Sequence, residues 1–186
     1  MNNLKEETRQ WVIRNYKNAH HLIKAEEWLL QLNSQAADSL ILATLTHDMD
    51  RAFPGPDSPK TDLSSGAVDP IYYRAHAERS ARIVSIFLRE QGATETLIAE
   101  VASLIHAHEE GGWLEADLVQ AADSLSFLEV NVDVFLQLIL LPTTDWTPDL
   151  VRAKFDWMYK RIKIPEARIL AKPFYEAAIQ KVNRLI

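Results

Sequence analysis

Apolar residues recur at helical spacing along almost the whole chain, and no run alternates apolar with polar residues for long enough to form a half-buried strand. That pattern restricts the fold to helix packed on helix. Helices are expected over roughly 4–32, 36–50, 69–91, 94–109, 115–139, 147–163 and 166–185, the first and fifth being long enough to hold two each. Gly92 and the pair Gly111-Gly112 mark C-terminal ends. Thr147-Pro148 marks an N-terminus, with a capping hydroxyl followed by proline at the first helical position. The one long break is 51–70, which holds four prolines and two glycines and should be a loop. A loop of that length inside a domain is often functional.

The 186 residues suit one domain with a sizeable core. The net charge of −6, without a basic run, argues against binding a nucleic-acid duplex, although a local basic pocket for a small anion remains compatible with it. With no cysteine there can be no disulfide, thiolate metal site or thiol nucleophile, so any metal must sit on nitrogen and oxygen. The first residues are charged and lack an apolar signal core, and the most apolar stretch, "VFLQLILL", is too short to span a membrane. A cytoplasmic protein without membrane association is the default expectation.

Helix faces then sort the six histidines. His21 shares a stripe with Ala25, Trp28 and Leu32, whereas His20 runs with Lys24, Glu27 and Gln31; His21 should point inward and His20 outward. His76 runs with Ser80, Ile83 and Phe87. His108 follows Ile98, Val101 and Ile105, while His106 lies about 200° around the helix from it, so the two cannot share an ion and His108 is the better candidate. His47 and Asp48 close the apolar run "LILATLTHD", and Asp123 sits in the stripe Ala116, Val119, Phe127, Val130, where a leucine would be expected. Any one of these residues alone reads most simply as a hydrogen-bonded core histidine or a salt-bridged aspartate, with Arg79 or Arg82 as metal-free partners for Asp123. Together, four histidines and two aspartates facing inward on five segments would cost several kcal/mol if left unpaired. A divalent cation offsets that cost, because it attracts neutral imidazole and carboxylate alike.

The order His21, His47-Asp48, His76, His108, Asp123 resembles the HD-domain superfamily of metal-dependent phosphohydrolases, whose pattern is H…HD…H…H…D on an all-helical core. "HLIKAEEWLLQL", "HAERSARIVSIFLREQGATETLIAEVASLIHAH" and "VQAADSLSFLE" resemble that family's first helix, middle helix pair and terminal aspartate helix, over about residues 16–130. The resemblance implies a single HD-type all-α helical bundle over 1–186, with a metal-binding core at about 16–130 and accessory C-terminal helices at about 147–185. It also implies one or two divalent ions (Mn, Fe, Mg, Zn or Ni): His21, His47, Asp48 and Asp123 on a first, with Asp48 bridging to a second held by His76 and His108. The chain departs from subfamily motifs. It has His106-Ala107-His108 and "EEGGWL" where cyclic-dinucleotide phosphodiesterases carry adjacent histidines and Gly-Tyr-Pro, and "HDMDRA" where alarmone hydrolases and nucleotidases carry HDxxED and HDxxE. Those substrate classes are not expected.

The implied activity is hydrolysis of a small anionic phosphate ester or nucleotide-like molecule by metal-activated water. Asp48 and Arg79 are the expected catalytic residues, since Arg79 lies one turn past His76. Arg51, Arg74 and Lys60 are further phosphate-facing candidates, Lys60 reading best as a solvated charge, and Asp50 reads as a helix cap, with a general base as the alternative. The alternatives are a di-iron oxygenase on the same ligand pattern and a non-catalytic, metal-stabilised signalling domain. In the C-terminal helices Trp157, Ile162, Phe174 and Ile179 read most simply as packing residues, with a homodimer interface as an alternative use and Arg152 and Lys154 as weak substrate-facing candidates.

Overall fold

The computed structural model describes residues 2–185, and within them the regular structure is helical. The helices are α1 (Asn2–Asn15), α2 (Ala19–Leu32), α3 (Asp38–Thr46), α4 (Pro70–Glu90), α5 (Glu95–Ala107), α6 (Leu114–Ser126), α7 (Val132–Leu140), α8 (Pro148–Lys160) and α9 (Pro165–Asn183). The first expected segment divides at 16–18 into α1 and α2. The fifth continues from α6 to α7 through one π-helical turn, Phe127–Asn131. The 51–70 stretch is mostly irregular, apart from a 3-10 turn at Met49–Ala52 and a short one at Leu63–Ser65.

The ends form as their residues dictate. Asp69 accepts hydrogen bonds from the amides of Ile71 and Tyr72, with Pro70 at the first position of α4. Thr94 caps α5 through the Leu97 amide, and Thr147 caps α8 through that of Leu150. Gly111 turns the chain between α5 and α6 at φ 68°, where a Cβ would also meet the Asp117 carboxylate at 2.1 Å.

Helix α3 is buried at every position from Ser39 to Thr46, which is why its sequence is apolar or small all round. It packs against α1, α2, α5 and α6. Two cores result. Leu22, Leu29, Leu42, Leu45, Val84, Leu88 and Ile105 belong to the first; Leu125, Phe127, Val151, Phe155, Met158 and Ile162 belong to the second. Helix α6 lies between them, giving Val119 and Ala122 to the first and Ala121 and Leu125 to the second. Asp123 is therefore at the seam of the two cores. The result is an all-α bundle forming one compact domain, in which α8 and α9 close over the far side of α6.

Candidate metal centre and anion cavity

His21, His47, Asp48, His76, His108 and Asp123 are all buried and converge, whereas His20 and His106 are exposed. His47 and His108 reach the centre in the same way. Each stands one residue past its helix, α3 or α5, and its Nδ1 faces the carbonyl three residues back: Thr44 O at 2.8 Å for His47 and Ile105 O at 2.6 Å for His108. Helix ends leave such carbonyls without a partner. A carbonyl only accepts, so both Nδ1 atoms carry the proton. His21 resolves likewise. The Ser126 hydroxyl donates to the His21 carbonyl at 2.7 Å, so its oxygen accepts from His21 Nδ1 at 2.8 Å. His76 Nδ1 lies 2.6 Å from Asp50 Oδ1, and Ser80 positions that carboxylate, donating to Oδ1 at 3.3 Å and accepting from the Asp50 amide at 3.1 Å. In His21, His47 and His108 the proton is thus held on the outer nitrogen, which leaves Nε2 as the donor atom facing the centre; His76 Nδ1 faces Asp50 Oδ1 without an aligned hydrogen bond.

The Nε2 atoms of His47, His76 and His108 are buried and make no aligned hydrogen bond. They face carboxylates instead. Asp123 Oδ1 is 3.1 Å from His21 Nε2 and 3.4 Å from His47 Nε2; Asp48 Oδ1 is 3.0 Å from His76 Nε2 and 4.0 Å from His47 Nε2. Lone pairs do not face carboxylates unless a positive charge lies between them, either a proton or a metal ion. Burial pushes His47 down, yet the Asp123 and Asp48 carboxylates override it and hold the imidazole up to about 9, so the centre favours a cation. The donor spacing fits a metal ion: ligands ~2.1 Å from one ion and at right angles are about 3.0 Å apart. Three trios have donor atoms within 4.8 Å of one another: His21, His47 and Asp48; His47, His108 and Asp123; and Asp48, His76 and His108. Asp48 belongs to the first and third of them, as a bridging carboxylate would.

Each aspartate offers only one oxygen to the centre. Asp48 Oδ2 is bound by Arg51 and approached by the Tyr16 hydroxyl at 3.4 Å, while Asp123 Oδ2 is bound by Arg161. Arg161 also binds Glu109 and donates to Ser124 Oγ at 2.8 Å. Burial opposes ionisation of Asp48 and Asp123, but these arginines and the adjacent imidazoles hold both carboxyls well below the usual range. Both are therefore ionised at neutral pH.

Several expected roles move. Arg79 does not reach the centre: it donates to the carbonyls of Asp50 (2.8 Å) and Phe53 (2.7 Å) and pairs with Asp57 (3.0 Å), tying down the start of the long loop. One helical turn past His76 is near it along the axis, but the guanidinium extends toward the loop. Neither Arg79 nor Arg82 pairs with Asp123; both hold Asp57, and Arg161 is the partner. Asp50 caps nothing and instead orients His76. Arg74 and Lys60 are exposed. Arg51 is beside the centre, bound to Asp48 Oδ2.

A cavity of about 260 Å³ adjoins the carboxylates, and Tyr16, Asn18, Arg51, Asn131, Lys154 and Arg161 contribute to its lining. Asn18 donates to Asn131 Oδ1 at 3.0 Å across it. The sequence reading favours packing for the C-terminal helices, with Lys154 only a weak candidate, yet α8 supplies Lys154 to the lining, and Arg161 caps its end. The one local signal was Lys154 itself, a cation in the apolar stripe Val151, Phe155, Met158, Ile162. Glu109, Arg161 and the two asparagines carried none. No helix among the described residues is long and apolar enough to cross a membrane. The chain matches no protein-family model, no curated protein and no solved structure.

Proposed function

We propose that the chain is an HD-type metal-dependent phosphohydrolase acting on a small phosphate ester. The observation that carries this reading is the common orientation of four imidazoles: every Nδ1 faces an outward partner, and every Nε2 faces a buried carboxylate, Asp123 for His21 and His47, Asp48 for His76 and Glu109 for His108. His21, His47, Asp48 and Asp123 would hold one divalent ion, and Asp48, His76 and His108 a second. Bound metal supplies a water of lowered pKa, a nucleophile near neutral pH.

The rest is done by the chain. The carbonyls of Thr44 and Ile105, Ser126 and Asp50 fix the rings, so little reorganisation is needed when the site is used. Arg51 and Arg161 hold the outer carboxylate oxygens and keep Asp48 and Asp123 presenting one oxygen each. Arg51 lines the cavity as an N–H donor for phosphate oxygens. Phe127, Phe135 and Met158 form apolar wall, which limits water around the bound ester.

The test is elemental analysis of the purified protein, followed by a panel of phosphate esters assayed with manganese or magnesium, with and without oxygen. One or two equivalents of divalent metal and oxygen-independent phosphate release are expected. Two irons per chain with oxygen-dependent turnover would replace this reading with an oxygenase. Bound metal without turnover on the panel would replace it with a metal-stabilised scaffold.

A further inference from the structure

Lys154 is 9% exposed and differs from the other cations of the cavity. Arg51 is bound to Asp48, and Arg161 to Asp123 and Glu109. Lys154 has no carboxylate within ion-pair distance among the described residues. Its ammonium donates once, to the Tyr73 hydroxyl at 2.9 Å. It otherwise lies against rings: Trp157 at 4.3 Å, Tyr73 at 4.8 Å and Phe127 at 5.5 Å from their centroids. An ammonium carries three donors, so two remain for whatever enters the cavity. Burying an unpaired charge is expensive, and proteins retain such groups mainly where a ligand completes them. The stacked pair Tyr73–Trp157, with centroids 4.8 Å apart, fixes the ammonium's position.

We infer that Lys154 is an oxyanion-binding residue, whose ammonium takes an anionic oxygen of a small phosphate compound and so selects the ligand of this cavity. The cavity's size sets the class. A volume of about 260 Å³ lies just below the ~300–1,000 Å³ range of sites for drug-sized ligands. That accommodates a phosphate and a group of a few heavy atoms. The oxygen belongs either to the phosphate itself or to a second acidic group such as a carboxylate. The identity of the ligand rests on the phosphohydrolase reading; the existence of an anion site at Lys154 does not.

The experiment is calorimetry on Lys154→Met and the unaltered protein, metal-free and manganese-loaded, with three probes: inorganic phosphate, ethyl phosphate and phosphoglycolate. The expected result is a loss of about ten-fold or more in affinity, with unchanged metal content. An equal loss for all three assigns Lys154 to the phosphate. A loss confined to phosphoglycolate assigns it to a second acidic group, and both results support the inference. Equal affinity in the two proteins for every probe, or no binding of any probe to the unaltered protein, overturns it. Should the methionine variant not fold, Tyr73→Phe removes only the hydroxyl that holds the ammonium and should weaken binding roughly two- to ten-fold, with unchanged affinity overturning the inference. The phosphohydrolase reading fails separately, through absent metal or turnover in the unaltered protein, while the metal-free titrations still report on Lys154.

Discussion

Arg161 binds Asp123 through Oδ2, the carboxylate oxygen that neither His21 nor His47 approaches. The residue at the end of α8 thus decides which oxygen of an α6 side chain faces the imidazoles. Removing it leaves Asp123 and Glu109 as buried carboxylates without their cation. Arg161→Met is expected to destabilise the metal-free protein by about 3–5 kcal/mol. The loss should be smaller with saturating manganese, which restores positive charge to Asp123. Urea denaturation of both forms checks this, and an equal loss with and without manganese would deny the link between arginine and metal.

Asp50 and His76 form a second such pair. Asp50→Asn keeps a side chain that Ser80 can hold, but removes the negative charge that faces His76 Nδ1 at 2.6 Å. Metal affinity is expected to fall by roughly 10–100-fold, the usual effect of losing a carboxylate behind a metal-bound histidine. Competition with a chelator reads it. By the same geometry His108→Ala should lower metal content, while His106→Ala, on an exposed position, should leave it unchanged.

Much of this arrangement was legible in the sequence, because burial of a helix follows its apolar stripe. The stripes separated His21 from His20 and His108 from His106, and marked Asp123 as a carboxylate in a leucine's place. What they could not give was partners from distant segments. Arg161 meets Asp123 and Glu109 across 38 and 52 residues, and nothing in its local spacing signals this. Asp50 was misread because the 3-10 turn at Met49–Ala52 tightens the chain just past α3 and turns this side chain toward α4. Arg79 was misread because helical register fixes where a side chain starts, not where a long guanidinium ends.

Lys154 should impose a pH-dependent burden on the fold. Burial lowers it from an ordinary 10.5 to about 7, against an upward pull from Glu109 and Asp123 and a further downward push from Arg161 and Arg51; Tyr73, which its ammonium contacts, stays neutral because burial raises that phenol. Between about 7 and 10.5 the unfolded chain binds this proton and the folded chain does not, so stability attributable to Lys154 rises with pH across that window. Below it the full penalty applies. Lys154→Met is therefore expected to raise Tm at pH 6 by a few degrees, roughly what ~1 kcal/mol gives in a domain of this size, and to gain less at pH 9. Thermal melts at the two pH values test it; a variant less stable at pH 6 than at pH 9, relative to the unaltered protein, contradicts it.

Arg79 serves the loop. Arg79→Met would take the guanidinium from the Phe53 carbonyl, leave the Asp50 carbonyl with only the Phe53 amide, and leave Asp57 to Arg82 alone. A stability loss of about 1–3 kcal/mol is expected from the partners left unsatisfied, with metal content unchanged because no donor atom of the centre is touched. Faster amide exchange confined to 51–60 would locate the effect; loss of bound metal would place Arg79 back among the residues that build the centre.

The π-helical turn between α6 and α7 has a consequence for how this chain tolerates change. Such a turn accommodates one residue more than α geometry would. Deleting a single codon within 127–131 would therefore let the segment rewind into plain α-helix, with the residues after it still in register and Asp123 before it in place. The same one-residue loss from a regular helix would turn everything beyond it by about 100°. The junction between Asp123 and the cavity residue Phe135 is thus the one place on this long segment where a change in length can be absorbed without rotating one against the other.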